Sequence, residues 1–547
     1  MSSVPVPDER TIYPSQRPSG VESSAWPVFS DDAMDVLRSA GEVLRPLPGA
    51  LLWDVGDHYD LNLVLAGGVL LIDRRDDRVV FVIEEGDFVG ELGMLMGQRA
   101  FLSGVAMEGT ELLRISVEQV RRLLEISGDL GDVLLSALDA RRGMLTRLGQ
   151  GGLVLAGDDD SDLHRLQEFA ERNQLPYRTV LRSDAAAWTE LEKFNALPEA
   201  GTAVVTGQRS AMNAPTTADL ADVLGIGLGG MPDGSRCDLL VVGAGPAGLA
   251  AAVYGSSEGL EVVVVEDVAI GGQAGSSSRI ENYFGFHRGV SGVELARTAM
   301  MQAVKFGTRL VSPRSVTALS RVPGGFGVWL DDDHQVLASA VVIASGVRYR
   351  RLGLPGLADL EGAGVYYAAS QLEANVVSGR NAVVVGGGNS AGQAALFLAR
   401  HAGQVHVLIR RDHLRDTMSN YLAQRIAHHE RVTVHPRAEL SGVHGTSRLS
   451  ALTWHDRVLS RDVRLDAAGL FLMIGADPHT TWLRDAGVEL DANGFVVTHD
   501  GFATEVPGLF AVGDVRAGSV KRVASAVGEG SAVISAVHSY LRGIERE

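Results

Sequence analysis

Two glycine-rich turns in this chain have the residue types needed to seat a dinucleotide pyrophosphate. The first is Gly243-Ala244-Gly245-Pro246-Ala247-Gly248 and the second is Gly386-Gly387-Gly388-Asn389-Ser390-Ala391. Glycine there allows a tight turn, close approach of backbone to phosphate, and packing of helix on strand. The phosphates then rest on the free N–H groups and the positive end of the next helix. Downstream the two units diverge. Glu266 ends an apolar run 18 residues after Gly248, where a carboxylate accepts both ribose hydroxyls. Arg410 stands 19 residues after Ala391, and Arg411 and Arg415 follow. A carboxylate repels a 2′-phosphate, whereas a guanidinium binds it bidentately. The pairing implies a flavin site reduced from an NADPH site.

The elements around these turns suit that chemistry. Apolar runs at 239–242 and 382–385 read as strands, and each glycine turn opens an alanine-rich helix. Further runs at 262–265 and 405–409 read as the second strands of two mononucleotide-binding units. From residue 236 onward, alternating strand and helix predicts two Rossmann-like domains with mostly parallel sheets.

This part of the chain, about 236–547, resembles the low-molecular-weight thioredoxin reductase family. Beyond the first turn it has Gly271-Gly272-Gln273 and Glu281-Asn282-Tyr283, segments that line the flavin ring in that family. Ala344-Ser345-Gly346 resembles the family's Ala-Thr-Gly turn. Gly513-Asp514 matches its second flavin motif, and Lys521-Arg522-Val523-Ala524 its closing segment, with Arg522 where Gln is common. The resemblance implies FAD contacts at Gly243, Gly245, Pro246, Ala247, Gly248, Glu266, Gly271, Gly272, Gln273, Asn282, Val316, Gly346, Gly513, Asp514, Arg522, Val523 and Ala524. It implies NADPH contacts at Gly386, Gly388, Asn389, Ser390, Ala391, Arg410, Arg411, Arg415 and Gly475. The implied division is an FAD domain at 236–350 and 477–547 with an NADPH domain at 351–476 inserted. A homodimer is expected by resemblance.

One departure changes the expected function. The family carries a Cys-x-x-Cys dithiol shortly before the second glycine turn, and the window here, Tyr366 to Leu372, has none. The chain's one cysteine, Cys237, begins the first flavin strand. An internal disulfide is thus excluded. Hydride is expected to pass from NADPH to FAD and on to an unidentified acceptor. A ferredoxin or flavodoxin is one alternative, with Arg348, Arg350 and Arg351 as the dense basic patch an acidic carrier needs. A sensor, gated by cyclic nucleotide or redox state, is the other.

Short glycine-punctuated strands over 31–149 predict a β-barrel or jelly roll, followed by a helix with a Ser116/Gln119 capping box. Phe88-Val89-Gly90-Glu91-Leu92 resembles the phosphate cassette of cyclic-nucleotide-binding domains. By that resemblance Gly90, Glu91, Leu92 and Arg99 are the candidate contacts. Residues 150–230 resemble a thioredoxin fold whose redox pair is replaced by Asp158-Asp159-Asp160-Ser161 and whose cis-proline is replaced by Ala203. The fold class expected is thus multidomain α/β, with two dinucleotide-binding domains preceded by these two modules. Residues 1–30 read as a disordered or loosely docked tail.

Composition narrows the partners. A net charge of −18 argues against nonspecific nucleic-acid binding and anionic membrane surfaces. No apolar run reaches the roughly 18 residues of a spanning helix. The 15 histidines are scattered, with no metal-ligand spacing. A single cysteine and no visible signal peptide suit a reducing cytoplasm.

Overall fold

The computed structural model describes residues 23–75, 77–148, 152–193, 197–207, 211–226, 231–277, 279–331, 333–446 and 448–544. Residues 1–22 of the expected tail, and 227–230 of the glycine-rich linker, lie outside them. Within residues 23–30, Ala25 is buried and its carbonyl accepts from Arg141 Nε at 2.8 Å, whereas Val28 is exposed.

The front unit is a sandwich of two four-stranded sheets. One has the order Glu42–Leu44, Glu111–Ile115, Leu61–Ala66, Phe88–Val89. The other runs Leu51–Trp53, Ser103–Ala106, Gly68–Asp73, Arg78–Glu84. All pairs are antiparallel, and no closed barrel forms among the described residues. The Ser116/Gln119 capping box is present and starts the Val117–Ile126 helix. Leu113, Ile115, Leu124 and Leu138 centre the core, which also takes in Met300 and Val304 from the flavin side. A shared apolar core ties elements together more firmly than surface ion pairs do.

Next comes a four-stranded sheet in the order Tyr177–Leu181, Leu153–Gly157, Ala203–Val205, Ala211–Asn213. The first pair is parallel and the others antiparallel. The last strand was not anticipated; three residues before an Ala-Pro break give too short a pattern to read. Helix α1, Ser161–Arg172, packs Leu163, Leu166 and Phe169 inward and is capped by Asp160, whose carboxylate accepts from Leu163 N.

The larger of the remaining sheets has seven strands. At its centre β1 (Ser235–Val242) starts the unit, α2 (Pro246–Ser257) follows it, and β2 (Val262–Val265) lies parallel to β1. Helix α3 (Gly292–Lys305) and strand β3 (Gln335–Ile343) continue the winding, and β3 pairs in parallel with β1. The β2 sequence is Val-Val-Val-Val and every residue is buried, as a strand covered on both faces requires. The last helix, Val523–Ile544, crosses α2 so closely that a Cβ on Gly530 would strike the Ala247 carbonyl.

Two antiparallel strands, β4 (Val347–Tyr349) and Ala476–Pro478, carry the chain out and back. Between them lies a five-stranded parallel sheet in the order Val365–Tyr366, Gly469–Leu472, β5 (Asn381–Val385), β6 (Gln404–Ile409), Val432–Pro436. Helix α4 (Asn389–Leu398) connects β5 to β6. No helix of the described residues is long and apolar enough to cross a membrane.

Candidate functional site

Both glycine turns lie between a parallel strand and a helix. Gly243 adopts φ +107°, and its Cβ would collide with the Ala344 backbone. A Cβ on Gly248 would enter the Gly243 carbonyl. Gly245 is the N-cap of α2, Pro246 opens the helix, and no side chain caps its N–H groups. Those free donors are the anion seat. Gly271 (φ +105°) donates to the Ala244 carbonyl at 2.8 Å, and a Cβ on Gly272 would come 3.0 Å from Gly245 Cα. Gln273 donates to the Val347 carbonyl.

Glu266 is 6% exposed and accepts from Ala244 N at 2.7 Å and Val268 N at 3.1 Å. Burial, and then the neighbouring Asp267, push its carboxyl up to about 8. Gly513 (φ +75°) packs against Ala247 and donates to Glu529 Oε2 at 2.7 Å. Burial raises the Asp514 carboxyl above its ordinary range, against the pull of Lys521. Val523 and Ala524 open the last helix, Arg522 precedes it exposed, Asn282 is exposed in its loop, Gly346 turns with φ +62°, and Val316 begins an outer strand. The uncapped helix, the buried Glu266 and the half-buried Asp514 fit an adenine dinucleotide with a ribityl chain. Glu529, which also holds Arg516 at 2.7 Å, carries no sequence signal because it is one acid within a long helix.

The second turn repeats the first. Gly386 has φ +143°, and its Cβ would strike the Met473 carbonyl. Gly388 is the N-cap of α4, again with no side-chain cap. Asn389 Oδ1 accepts from Ser419 N at 2.7 Å, Ser390 is exposed, Ala391 is buried, and Gly475 (φ +96°) sits at the return crossing. Arg410, Arg411 and Arg415 are exposed at the end of β6. None of the three has a carboxylate partner among the described residues, whereas nearby Arg437 is paired with Asp412.

The basic patch expected to meet an acidic carrier is different. Arg348 is paired with Asp267 at 2.7 Å, Arg350 with Asp477 at 2.6 Å and Arg351 with Glu361 at 3.0 Å. Cys237 is buried, and desolvation holds its thiol far above the range of a reactive thiolate.

The front sandwich encloses a cavity of about 1150 Å³ lined by Trp53, Tyr59, Phe81, Glu91, Phe101 and Arg141 among others. Glu91 is already engaged: it accepts from Gly93 N at 2.7 Å and the Tyr59 hydroxyl at 3.1 Å, and lies 3.5 Å from Arg142. Gly90 and Leu92 are buried beside it. Arg99 is not brought to the cavity. It is exposed, its N–H donates to the Leu224 carbonyl at 2.9 Å, and its side chain lies over Gly225 of the neighbouring module. Glu91 and Arg99 are thus not brought together in this structure.

Residues 237–530 match the pyridine nucleotide-disulphide oxidoreductase family, and residues 47–127 match the cyclic nucleotide-binding domain. The chain is 34% identical to thioredoxin reductase of Treponema pallidum (strain Nichols) over 304 residues, 56% of this chain and 97% of that one. It is 32% identical to the Bacillus subtilis (strain 168) thioredoxin reductase over 311 residues, 56% and 96% of the two chains. Among solved structures, Lactococcus lactis thioredoxin reductase in its FR conformation aligns at 26% identity and TM-score 0.53, covering 56% of this chain and 99% of that one. The T. acidophilum enzyme aligns at 29% identity, the same TM-score and the same coverage. The chain therefore belongs to the pyridine nucleotide-disulphide oxidoreductase family. Within that class it is a thioredoxin reductase-like, FAD-containing NAD(P)H oxidoreductase with a cyclic nucleotide-binding-type domain in front.

Two outcomes follow from the geometry. Glu266 titrates near 4.5 when unfolded and near 8 when folded, so the folded state keeps an extra proton across that interval. Stability of the cofactor-free protein thus falls as pH rises through it. Glu266→Gln is expected to raise the melting temperature more at about pH 9 than at about pH 5, while weakening FAD retention; equal thermal shifts at the two pH values would refute this. Calorimetric titration with millimolar cAMP or cGMP is expected to give no saturable heat, and a saturable isotherm abolished by Arg99→Ala would overturn the cavity assignment.

Proposed function

We propose that this protein takes hydride from NADPH onto FAD and passes the electrons to an acceptor outside the chain, with no internal disulfide between. The carrying observation is the trio Arg410, Arg411 and Arg415, solvent-exposed just past β6 and without carboxylate partners among the described residues, where the flavin-side unit has Glu266 instead. Three guanidiniums left without anions suit a 2′-phosphate and make a 2′-hydroxyl the poorer ligand. In this reading Gly386, Gly388, Asn389, Ser390 and Ala391 cradle the NADPH pyrophosphate, and Gly475 lets the return crossing pass beside it.

FAD, when bound, supplies the hydride acceptor. The chain's part is to hold it. The α2 N-terminus receives the pyrophosphate, Glu266 the adenosine ribose, Asp514 the ribityl side, and the Gly271–Gln273 turn the ring edge. The reading assigns 236–350 with 477–547 to the flavin and 351–476 to NADPH. It assigns 31–149 to the cavity-bearing front domain and 150–230 to a thioredoxin-like module without redox cysteines.

The chain has one cysteine, buried and held as the thiol, so electrons leave from the flavin rather than from a protein dithiol. Arg348, Arg350 and Arg351 are each already neutralised by a carboxylate, which disfavours docking of an acidic ferredoxin or flavodoxin there.

Anaerobic stopped-flow bleaching of the flavin is expected to be much faster with NADPH than with NADH at equal concentration. Hydrogen bonds to charged groups contribute about 1.5–3 kcal/mol each. Arg410→Ala and Arg411→Ala are therefore each expected to weaken NADPH about tenfold or more, leaving NADH unchanged. Equal rates with the two nucleotides would remove the proposal's NADPH assignment. NADPH-dependent reduction of an added small-molecule disulfide that Cys237→Ser abolishes would remove its electron route.

A further inference from the structure

Helix α1 lies across the junction between the flavin-side and nucleotide-side units and is fastened to both. At its C-terminal end Asn173 donates to the Val268 carbonyl at 3.3 Å, just past Glu266. Beside it Asp222 of the same module pairs with Arg314, whose N–H bonds the Glu266 carbonyl at 2.8 Å. At its N-terminal end Asp159 accepts from Arg448 at 2.7 Å. His164 packs against Tyr366 with the ring centres 5.2 Å apart and the planes tilted by 47°, and its Nε2 lies 3.6 Å from Glu373 Oε1. His164 is 8% exposed and Glu373 5%. Gly362 passes so close that a Cβ there would touch both His164 and Ser161.

The grip falls on the segment where the resembling family keeps its dithiol. In that window Tyr366 packs against His164 of α1, while Tyr367 stacks 6.2 Å from Tyr349. The other side of the nucleotide unit faces the flavin segments. Asn389, in the nucleotide turn, bonds Ser419, which precedes the Asn420–Ala427 helix, and Arg425 of that helix reaches Glu281 at 2.6 Å. So the orientation that α1 secures turns the nucleotide side toward the flavin side.

We infer that His164 is a positioning residue for hydride transfer: through Glu373 and Tyr366 it holds the nucleotide-binding unit in the orientation that presents NADPH to the flavin. The inference rests on the proposed NADPH-to-FAD route. It assigns the redox-inactive thioredoxin-like module a task, because a reductase without a dithiol has one productive orientation to keep instead of two to alternate.

The test uses the full-length FAD-loaded protein and the variants His164→Ala, His164→Gln and Glu373→Gln. Three readouts are taken: the single-turnover rate of flavin bleaching at saturating NADPH, the affinity for NADP⁺, and hydrogen exchange of the 361–373 backbone. His164→Ala is expected to slow bleaching about tenfold. NADP⁺ affinity should stay unchanged and exchange across 361–373 should rise, with partial recovery of the rate and of the exchange protection in His164→Gln, which keeps a donor in place. Should His164→Ala fail to fold, Glu373→Gln breaks the contact from the other side and is expected to give the same pattern. Bleaching as fast as wild type, or faster, overturns the inference, as does a loss confined to NADP⁺ affinity. A wild-type protein not reduced by NADPH at all would instead strike the function proposed above.

Discussion

At the start of any α-helix the first N–H groups have no partner within the helix, and most helices satisfy them with a capping side chain. Helices α2 and α4 do not: each begins at a glycine that offers no side chain to cap it. These two helix starts of the sheet units thus keep donors free for a charged ligand, and the rest of the dinucleotide architecture accommodates that choice. The glycines that bring strand and helix together at Gly243 and Gly248 have no room for a Cβ, and the same is true where Gly530 meets α2. The price of such close backbone contact is a strand set buried on both faces, seen in the unbroken valine run of β2.

What distinguishes the two seats is the electrostatics one strand further on. Glu266 is buried, pressed against Asp267, and holds its proton well above the ordinary carboxylate range in the absence of a partner. A ribose diol offers two donors to such an acceptor and no competing charge. Arg410, Arg411 and Arg415 stand in solvent, where cations carry little desolvation cost and attract a dianion from a distance. On the reading proposed above, the contrast assigns FAD to one seat and NADPH to the other. The lone cysteine adds nothing to that route, because burial keeps its sulfur protonated.

Much of this was legible in the sequence because it is local. Each glycine turn, with its flanking strands and its downstream acid or base, spans a few dozen residues, and sterics alone dictate the residue types. The capping box at Ser116 and Gln119 was readable for the same reason. What stayed hidden depends on residues far apart in the chain. Glu529 reaches Gly513 across sixteen residues of irregular chain and helix, and Glu373 meets His164 from another sheet altogether. Arg99 shows a different limit. Its type and approximate spacing matched a phosphate ligand, but its side chain lies over Gly225, and only the neighbouring module reveals where it goes. The three arginines 348, 350 and 351 looked like a cationic patch because their carboxylate partners lie ten to well over a hundred residues away.

The front modules are joined to the flavin side by contacts of unequal kind. The sandwich shares an apolar core with α3 through Met300 and Val304, and Arg297 and Lys305 of that helix pair with Asp139 and Asp132 at the rim. The thioredoxin-like module is bonded to the sandwich through Arg75 to the Gly152 carbonyl at 3.0 Å and through Arg99 N to Leu224. These three parts make one frame. The nucleotide unit joins that frame by two short crossing strands, by Arg425 to Glu281, and by the α1 grip. Two three-residue strands resist bending weakly, and a half-exposed ion pair contributes about 0–1 kcal/mol. The buried contacts at His164 and Glu373 are therefore the part of that junction with the most free energy to lose, which on the inference above puts the unit's orientation under the control of the module that carries α1.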